Sequence, residues 1–437
     1  MPKPVHQDRK PAPKPAINSS RSTYFTCFAS CPKGLETLLE IELNQLGASE
    51  VKSTSGGCLF KAGWPLAVRI TYWSRIAGRV GLRLAHEPCQ SETDLYNIVT
   101  RIDWPNWFHV EQTLRVDLTN LGADYKNPRF AQLKIKDAVC DCFMRQFNQR
   151  PNIDTTQPNI RIFAATTPTH ASVYIDLAGE NLFKRGWRKD KGIAPLKENL
   201  AAGIWTLVQN KLPEHTEQKN YLDPFCGSGT LVIEAVSQLC DRAPGLDRNF
   251  AFEHLKPYTP ELGQAIQTQA NERFNQGLDQ VLKHKPLIWK GSDITALMVE
   301  LAQHNAQQAG LGELLDAGII QFAQVDALDV KPWAQHGVIL SNPPYGERAR
   351  AKGADIEEDE AYERLFKEYG NLLKQQFTGW TAFLFSGDLN LKYTLGLSPK
   401  RKTPLFNGAI ECRLFEFPIT TGVYRPRAAT AENQTKQ

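Results

Sequence analysis

The sequence predicts an α/β protein whose C-terminal half is an open, mostly parallel sheet flanked by helices, with α+β material in front of it. Three observations carry this reading. Strand-like and helix-like segments alternate from about Lys219 onward, a glycine-rich run joins a strand to a helix at Asp223 to Thr230, and a proline-locked segment, Asn342-Pro343-Pro344-Tyr345, closes a later strand.

At 437 residues the chain exceeds what one core organises, and about 150 residues per domain suggests roughly three units. The sequence divides into a tail at 1–21, α+β units at 22–66 and 67–177, a linker at 178–205 and a final unit at 206–437. A composition of 41% hydrophobic and 22% charged residues is that of a globular protein. No apolar run approaches the ~18 residues that cross a bilayer, and the N-terminus lacks the apolar segment of a secretory signal, so a cytoplasmic location is expected. The nine cysteines show no C-x2-C pair, so no metal is expected.

The net charge of +4 becomes informative once it is located. Lys3, Arg9, Lys10, Lys14 and Arg21 face only Asp8 within the first 22 residues, a surplus equal to that of the whole chain, so the remainder is formally neutral. This proline-rich leader cannot bury enough surface to fold and would add screened attraction to a polyanion, unless it is only a solvated extension. Five prolines in the first 15 residues weigh against a mitochondrial presequence.

Tyr24 to Ser30 reads as a strand, Pro32-Lys33-Gly34 as a turn, and Leu35, Leu38, Leu39, Leu43 and Leu46 as a helix ended by Gly47. A turn at Ser55-Gly56-Gly57 precedes a strand from Cys58 to Lys61. In the second unit the clearest helix spans about Phe130 to Phe147 with Ile135, Ala138, Val139, Cys142 and Phe143 as its apolar stripe, and the last strand alternates through Ala171, Val173, Ile175 and Leu177. A basic run at 183–189 leads to a helix beginning near Leu196. In the final unit, strands are expected at Tyr221-Leu222, 287–293, 319–325, 338–341 and 381–385, with helices after the first, second and fourth. Ala409 to Phe417 is expected to complete the sheet as a hairpin strand.

The chemistry gathers at the strand ends. Gly227 and Gly229 allow a tight turn and close approach to a ligand, but neither a dinucleotide fingerprint nor a phosphate loop is present. Asp293 and Asp326 end the next two strands, where one carboxylate can accept from ribose hydroxyls and the other from an adenine amine. Because Asp223 and Asp293 lie far apart in sequence, an insertion at about 241–285 with a helix over 261–282 is expected. Pro343 and Pro344 remove two amide donors, so the Asn342 side-chain oxygen and the Pro343 carbonyl are offered as acceptors to a planar exocyclic amine, with Tyr345 stacking on its base. Two accepted hydrogen bonds would free the nitrogen lone pair without a strong base.

These motifs resemble those of class I S-adenosylmethionine-dependent amino methyltransferases, and residues 22–177 resemble a THUMP RNA-binding domain with a ferredoxin-like N-terminal piece. Asp241 to Leu246, Ala194 to Leu200 and Leu340 to Arg348 bring the similarity to the guanine-N2 methyltransferases of 23S ribosomal RNA, over nearly all of residues 24–420. The resemblance implies a Rossmann-like methyltransferase fold, S-adenosylmethionine as cofactor, and a guanine in domain V of 23S rRNA, or a large-subunit precursor, as target. By it Asp223, Phe225, Gly227 and Gly229 hold the methionine part, Asp293 the ribose, Asp326 the adenine, and Asn342, Pro343 and Tyr345 the guanine. Members are often fused to a second half that methylates another guanine at N7; the chain stops before it, so the N2 activity alone is expected. Arg129, Lys134, Lys136, Lys184, Arg185 and Arg188 are candidates to neutralise RNA phosphates. Alternatives are a tRNA guanine-N2 methyltransferase, a DNA adenine methyltransferase and a non-catalytic RNA-binding assembly factor.

Overall fold

In the computed structural model, which describes residues 24–125, 127–188, 196–212, 219–285, 287–345 and 356–420, the strands gather into two seven-stranded sheets. The basic leader, residues 189–195 of the expected linker and residues 346–355 lie outside the described residues. Among the described residues no helix is long and apolar enough to cross a membrane, and no three metal-ligating side chains cluster.

The front end contains β1 (Tyr24–Ser30), α1 (Glu36–Gln45), β2 (Ser49–Thr54), β3 (Gly57–Gly63), α2 (Trp64–Trp73), β4 (Arg79–Pro88), α3 (Glu92–Thr100), β5 (Leu114–Asn120), α4 (Pro128–Phe147), β6 (Ile160–Thr166) and β7 (His170–Asp176). Its sheet runs β2-β3-β1-β4-β7-β6-β5. β1 pairs with both β3 and β4, so strands from 22–66 and from 67–177 share one continuous sheet. In α4 the stripe Ile135, Ala138, Val139 and Phe143 is buried, and Cys142 is half-buried at its margin. Asn127 caps this helix by accepting from the Arg129 and Phe130 amides.

The second half contains α5 (Glu198–Gln209), β8 (Lys219–Asp223), α6 (Thr230–Leu239), α7 (Pro260–His284), β9 (Leu287–Asp293), α8 (Ala296–Gln308), α9 (Gly312–Asp316), β10 (Ile320–Gln324), β11 (Gly337–Ser341), α10 (Ile356–Gln376), β12 (Trp380–Ser386), α11 (Leu391–Thr394), β13 (Arg401–Asn407) and β14 (Ile410–Pro418). The order is β10-β9-β8-β11-β12-β14-β13, parallel as far as β12 and antiparallel for the last two pairs. The chain leaves β8 toward β9 on one side and returns at β11 on the other. That reversal opens a crevice above the strand ends, where doubly wound sheets bind ligands.

The sequence reading does not name β4, β5 and β6, and β2 and β13 lack an apolar pattern of their own. β2 carries Ser-Glu-Val-Lys-Ser-Thr, with one apolar residue and no buried face, and owes its conformation to pairing with β3. β13 buries only Leu405 among its seven residues and is held as the outer partner of β14.

The segment between α6 and β9, where an insertion is expected, carries a long helix, and its first part clamps the two sheets together. The Gly245 amide donates to the Tyr72 carbonyl (3.0 Å), Phe252 to Leu177 (3.1 Å) and Lys256 to Trp107 (2.9 Å). The Arg248 guanidinium reaches the carbonyls of Ala178, Glu180, Asn181 and Lys184. Its helix, α7, begins with Thr259 as cap and packs Ile266, Ala270, Phe274, Leu278 and Val281 inward at helical spacing.

Arg185 and Arg188 correct the sequence reading. Arg185 is 1% exposed and pairs with Glu234 of α6 (3.3 Å), while also donating to the Leu182 and Arg75 carbonyls. Arg188 pairs with Glu198 (3.2 Å) and donates to the Thr230 hydroxyl. Neither guanidinium faces solvent, because α6 brings a buried carboxylate and hydroxyl to the linker and desolvated carboxylates need partners. Arg185→Ala strands the Glu234 carboxylate and should cost roughly 3–5 kcal/mol, lowering the unfolding midpoint. The double replacement Arg185→Met with Glu234→Met should recover most of that loss, and equal losses in the two variants would count against an uncompensated charge as its cause.

Candidate cofactor and amine site

Four strand ends converge on a cavity of about 370 Å³, within the ~300–1,000 Å³ of small-molecule sites. Asp223 ends β8 with its carboxylate buried, accepting from the Ser341 hydroxyl (2.6 Å) and the Phe225 amide (3.2 Å). Burial pushes this carboxyl up to about 7; the two hydrogen bonds offset part of that effect, and the nearby Asp293 charge adds to it. Among the described residues no cation pairs with this carboxylate.

The glycine loop follows. Gly227 (φ +50°) and Gly229 (φ +80°) occupy the left-handed region. A Cβ at Gly229 would stand 3.1 Å from Ala302 Cβ and 3.2 Å from the Phe322 ring, whereas one at Gly227 would meet nothing within 4 Å. The first is fixed by packing and the second by its turn. The Gly227 amide donates to Asp293 Oδ2 (3.2 Å), and Asp293 Oδ1 accepts from Thr295 (2.9 Å), so the carboxylate ending β9 also holds the loop in place. Asp326, just beyond β10, accepts from the Leu328 amide (2.9 Å). Asp223, Asp293 and Asp326 all line the cavity, as do Phe225 and Gly227. Phe225 is held edge-on by Tyr369 (5.4 Å) and face-on by Phe366 (6.1 Å). Gly229 contributes the turn rather than the wall.

Asn342 follows the last residue of β11 and lines the same cavity. Its Oδ1 is buried and accepts no hydrogen bond among the described residues; other buried polar atoms share that condition, but of their residues Asn342 lines the cavity, where a donor from outside the chain can reach it. Pro343 is buried and Pro344 lines the wall. Tyr345, expected to stack on a base, instead points into the sheet. It is 3% exposed, edge-on to Phe385, with its hydroxyl 3.2 Å from Asn407 Nδ2 and 3.7 Å from Cys412 Sγ. The prolines fix the turn, and the β13–β14 hairpin supplies polar partners that an outward ring would forgo.

The remaining candidates stay apart from the cavity. Arg129 is exposed at the start of α4, Lys134 lies 5.2 Å from the Phe130 ring, Lys136 pairs with Asp137 (2.6 Å) and Lys184 with Glu180 (2.6 Å). Sequence reasoning passed over Ser341, whose only signal is adjacency to Asn342, and the wall residues Met298 and Leu365, which look like ordinary helical apolar residues.

Carboxylates at three strand ends and an open acceptor at the point of strand reversal are the site of a Rossmann-like methyltransferase. Comparison with known proteins agrees: family models match an RlmL ferredoxin-like domain at residues 26–81, a THUMP domain at 89–176 and an RMKL-like methyltransferase domain at 185–416. The chain belongs to the RMKL-like methyltransferase-domain family. A protein named ribosomal RNA large subunit methyltransferase K/L from a Shewanella species (strain W3-18-1) is 37% identical over 88% of this chain, and the namesake from Shewanella frigidimarina is 38% identical over 89%. The chain spans about half the length of these relatives, 52% of each. Among solved structures, the methyltransferase SMU.472 complexed with SAH has a TM-score of 0.76 at 28% identity, covering 92% of this chain and 99% of its own. TrmN from Thermus thermophilus (TM-score 0.60, 18% identity, 90% of this chain and 99% of its own) shares the fold.

Asp223 generates a pH prediction. Below about pH 4 the folded and unfolded chains both carry its proton; between there and about 7 only the folded chain keeps it, so stability falls across that window and levels off above it. Asp223→Asn abolishes this contribution. The stability of the variant relative to wild type should therefore climb from pH 4 to 7 and then plateau in cofactor-free unfolding experiments, and a difference independent of pH would refute the raised carboxyl.

Proposed function

We propose that the chain transfers the methyl group of S-adenosylmethionine to the exocyclic N2 of a guanine in domain V of 23S rRNA. The observation that carries this reading is the buried, unpartnered Asn342 Oδ1 on the wall of a cavity edged by three carboxylates. The relatives named as large-subunit rRNA methyltransferases support rRNA over tRNA, the THUMP match supports RNA over DNA, and the SAH-bound neighbour supports the cofactor.

When bound, S-adenosylmethionine supplies a methyl group on a sulfonium, and the chain's own residues supply placement. Asp223 offers its buried carboxylate to the ammonium of the methionine part, which would restore the charge that burial suppresses. Gly227 and Gly229 keep the turn thin enough for close approach, Asp293 faces the ribose hydroxyls with the lone pairs its two amide bonds leave free, and Asp326 faces the adenine amine. Asn342 Oδ1 accepts from the guanine amine; a second acceptor, the Pro343 carbonyl, would pull its lone pair out of the ring. Positioning of this kind accounts for ~7–11 kcal/mol of a displacement barrier. Tyr345 acts as the anchor of the Pro-Pro turn.

Incubation with labelled S-adenosylmethionine and 23S rRNA, tRNA or DNA, followed by nucleoside analysis, should show N2-methylguanosine in 23S rRNA; label confined to tRNA would overturn the rRNA assignment. Asn342→Ala should lower kcat roughly 10²–10³-fold while S-adenosylmethionine affinity stays within about twofold. Transfer at the native rate by that variant would exclude amine capture by Asn342.

A further inference from the structure

Ser341 makes none of the cofactor or amine contacts proposed above, yet it stands between them. It is the last residue of β11 and fully buried, on a strand flanked by β8, which pairs at Ile339, and by β12, where Leu384 is its register partner. Its hydroxyl donates to Asp223 Oδ1 at 2.6 Å, and the Phe225 amide reaches the same oxygen at 3.2 Å. Among the described residues no hydrogen bond reaches Asp223 Oδ2. Asp223 lines the cavity, so one of its oxygens is engaged by the chain and the other is left for a donor from outside.

Satisfying a buried carboxyl is one role for such a serine. Stability alone does not account for the pair, because replacing both partners of a buried hydrogen bond by apolar groups of the same shape is often neutral or stabilising. Position in the chain adds a consequence. A single peptide bond joins Ser341 to Asn342, whose unpartnered acceptor belongs to a residue lining the same cavity.

The titratable groups that face Asp223 are Asp293 at the end of β9, the Cys226 thiol in the glycine loop and the Tyr369 hydroxyl of α10. None of these is a cation, and burial holds the carboxyl in its neutral form up to about pH 7. An ammonium brought to Asp223 favours the carboxylate, and the displaced proton passes to solvent. A hydrogen bond to an ionised acceptor is about twice as strong as one to a neutral acceptor, and shorter. The bond from Ser341 is thus weak while the cavity is empty and strong once a cation enters it.

We propose that Ser341 is a positioning residue that couples the two halves of the site: an ammonium bound at Asp223 tightens the bond from Ser341 and thereby seats the adjoining Asn342 for the incoming amine. This rests on the reading of the cavity as a S-adenosylmethionine site facing a base amine. Such coupling is reciprocal, so cofactor raises the affinity for RNA by the factor by which RNA raises the affinity for cofactor.

The test uses the full chain, a 23S rRNA fragment and two cofactor analogues. S-adenosylhomocysteine keeps the ammonium without a transferable methyl group, and methylthioadenosine has no ammonium. Saturating S-adenosylhomocysteine should tighten RNA binding to the wild-type chain about fivefold or more, and methylthioadenosine should leave it unchanged. Ser341→Ala should abolish that gain and lower kcat at saturating S-adenosylmethionine roughly tenfold. It should also raise the pH at which affinity for S-adenosylhomocysteine is half-maximal, because the lost hydrogen bond favoured the ionised carboxyl. Ser341→Thr, which keeps the hydroxyl, should restore the coupling and the pH midpoint. In an Asp223→Asn background Ser341→Ala should change neither further, as expected for two residues that act through one bond. A wild-type chain whose RNA affinity ignores S-adenosylhomocysteine would overturn the proposal. So would a Ser341→Ala chain that loses thermal stability while keeping the coupling and the midpoint, since that is the behaviour of a serine that only packs. Affinity for S-adenosylhomocysteine that is independent of pH between about 5 and 9 in the wild-type chain would instead remove the ammonium from Asp223, and no affinity at all would overturn the proposed function.

Discussion

The hydrogen bond from Ser341 to Asp223 spans the point at which the second sheet reverses its strand order. β8 and β11 are neighbours there, and the segments that follow them diverge. Because Asn342 is the next residue after Ser341, the position of its acceptor is referred to the same bond that fixes Asp223. The two groups therefore share one frame: among the described residues, a buried carboxyl without a cation and a buried amide oxygen without a donor. Each is costly in an apolar setting, and their coincidence at one crevice is the departure from local consistency expected of a functional site.

That frame is tied to the front end through charge as well as packing. Arg75, following α2, donates to the Arg242 carbonyl (2.8 Å), while its own carbonyl accepts from Arg185, which in turn pairs with Glu234 of α6. Thr230, the first residue of α6, takes a bond from Arg188 of the linker and also lines the cavity. Buried ion pairs are weak evidence for stability, since desolvation offsets much of the attraction, but they accept few alternative geometries. Here they fix the angle at which the THUMP-bearing unit meets the helix that follows the glycine loop. Under the proposed function, an RNA held by one sheet would then be presented to the other without a search over domain orientations.

What the sequence disclosed follows from where its information is local. The alternation from β8 to β12, the glycine turn, the three strand-end aspartates and the acceptor Asn342 are each written within a few residues, and each lies at its expected strand end or loop. β2 and β13 were illegible because their conformation comes from a partner strand rather than from their own apolar pattern. The charged run within the linker misled for a related reason. Arg185 and Arg188 look solvated until α6, some forty residues later, places Glu234 and Thr230 against them. Tyr345 shows the same limit, since only the β13–β14 hairpin, bringing Asn407 and Cys412, makes the inward rotamer favourable.

The inward tyrosine alters how the amine site must work. With Tyr345 serving as an anchor, the flat contacts beside Asn342 fall to Pro344 and Leu365, which are apolar but small, and Phe225 is already engaged by Phe366 and Tyr369. Such a wall can select a planar amine by shape and by its acceptors, yet it offers little surface to hold a nucleotide. Grip on the substrate must then come from outside the cavity. Outside the leader the chain is formally neutral, so attraction for a polyanion cannot arise from total charge and has to be assembled locally, where cations stand apart from carboxylates. Arg185, Arg188, Arg242 and Arg273 at the sheet–sheet junction fail that condition because each is paired with a carboxylate.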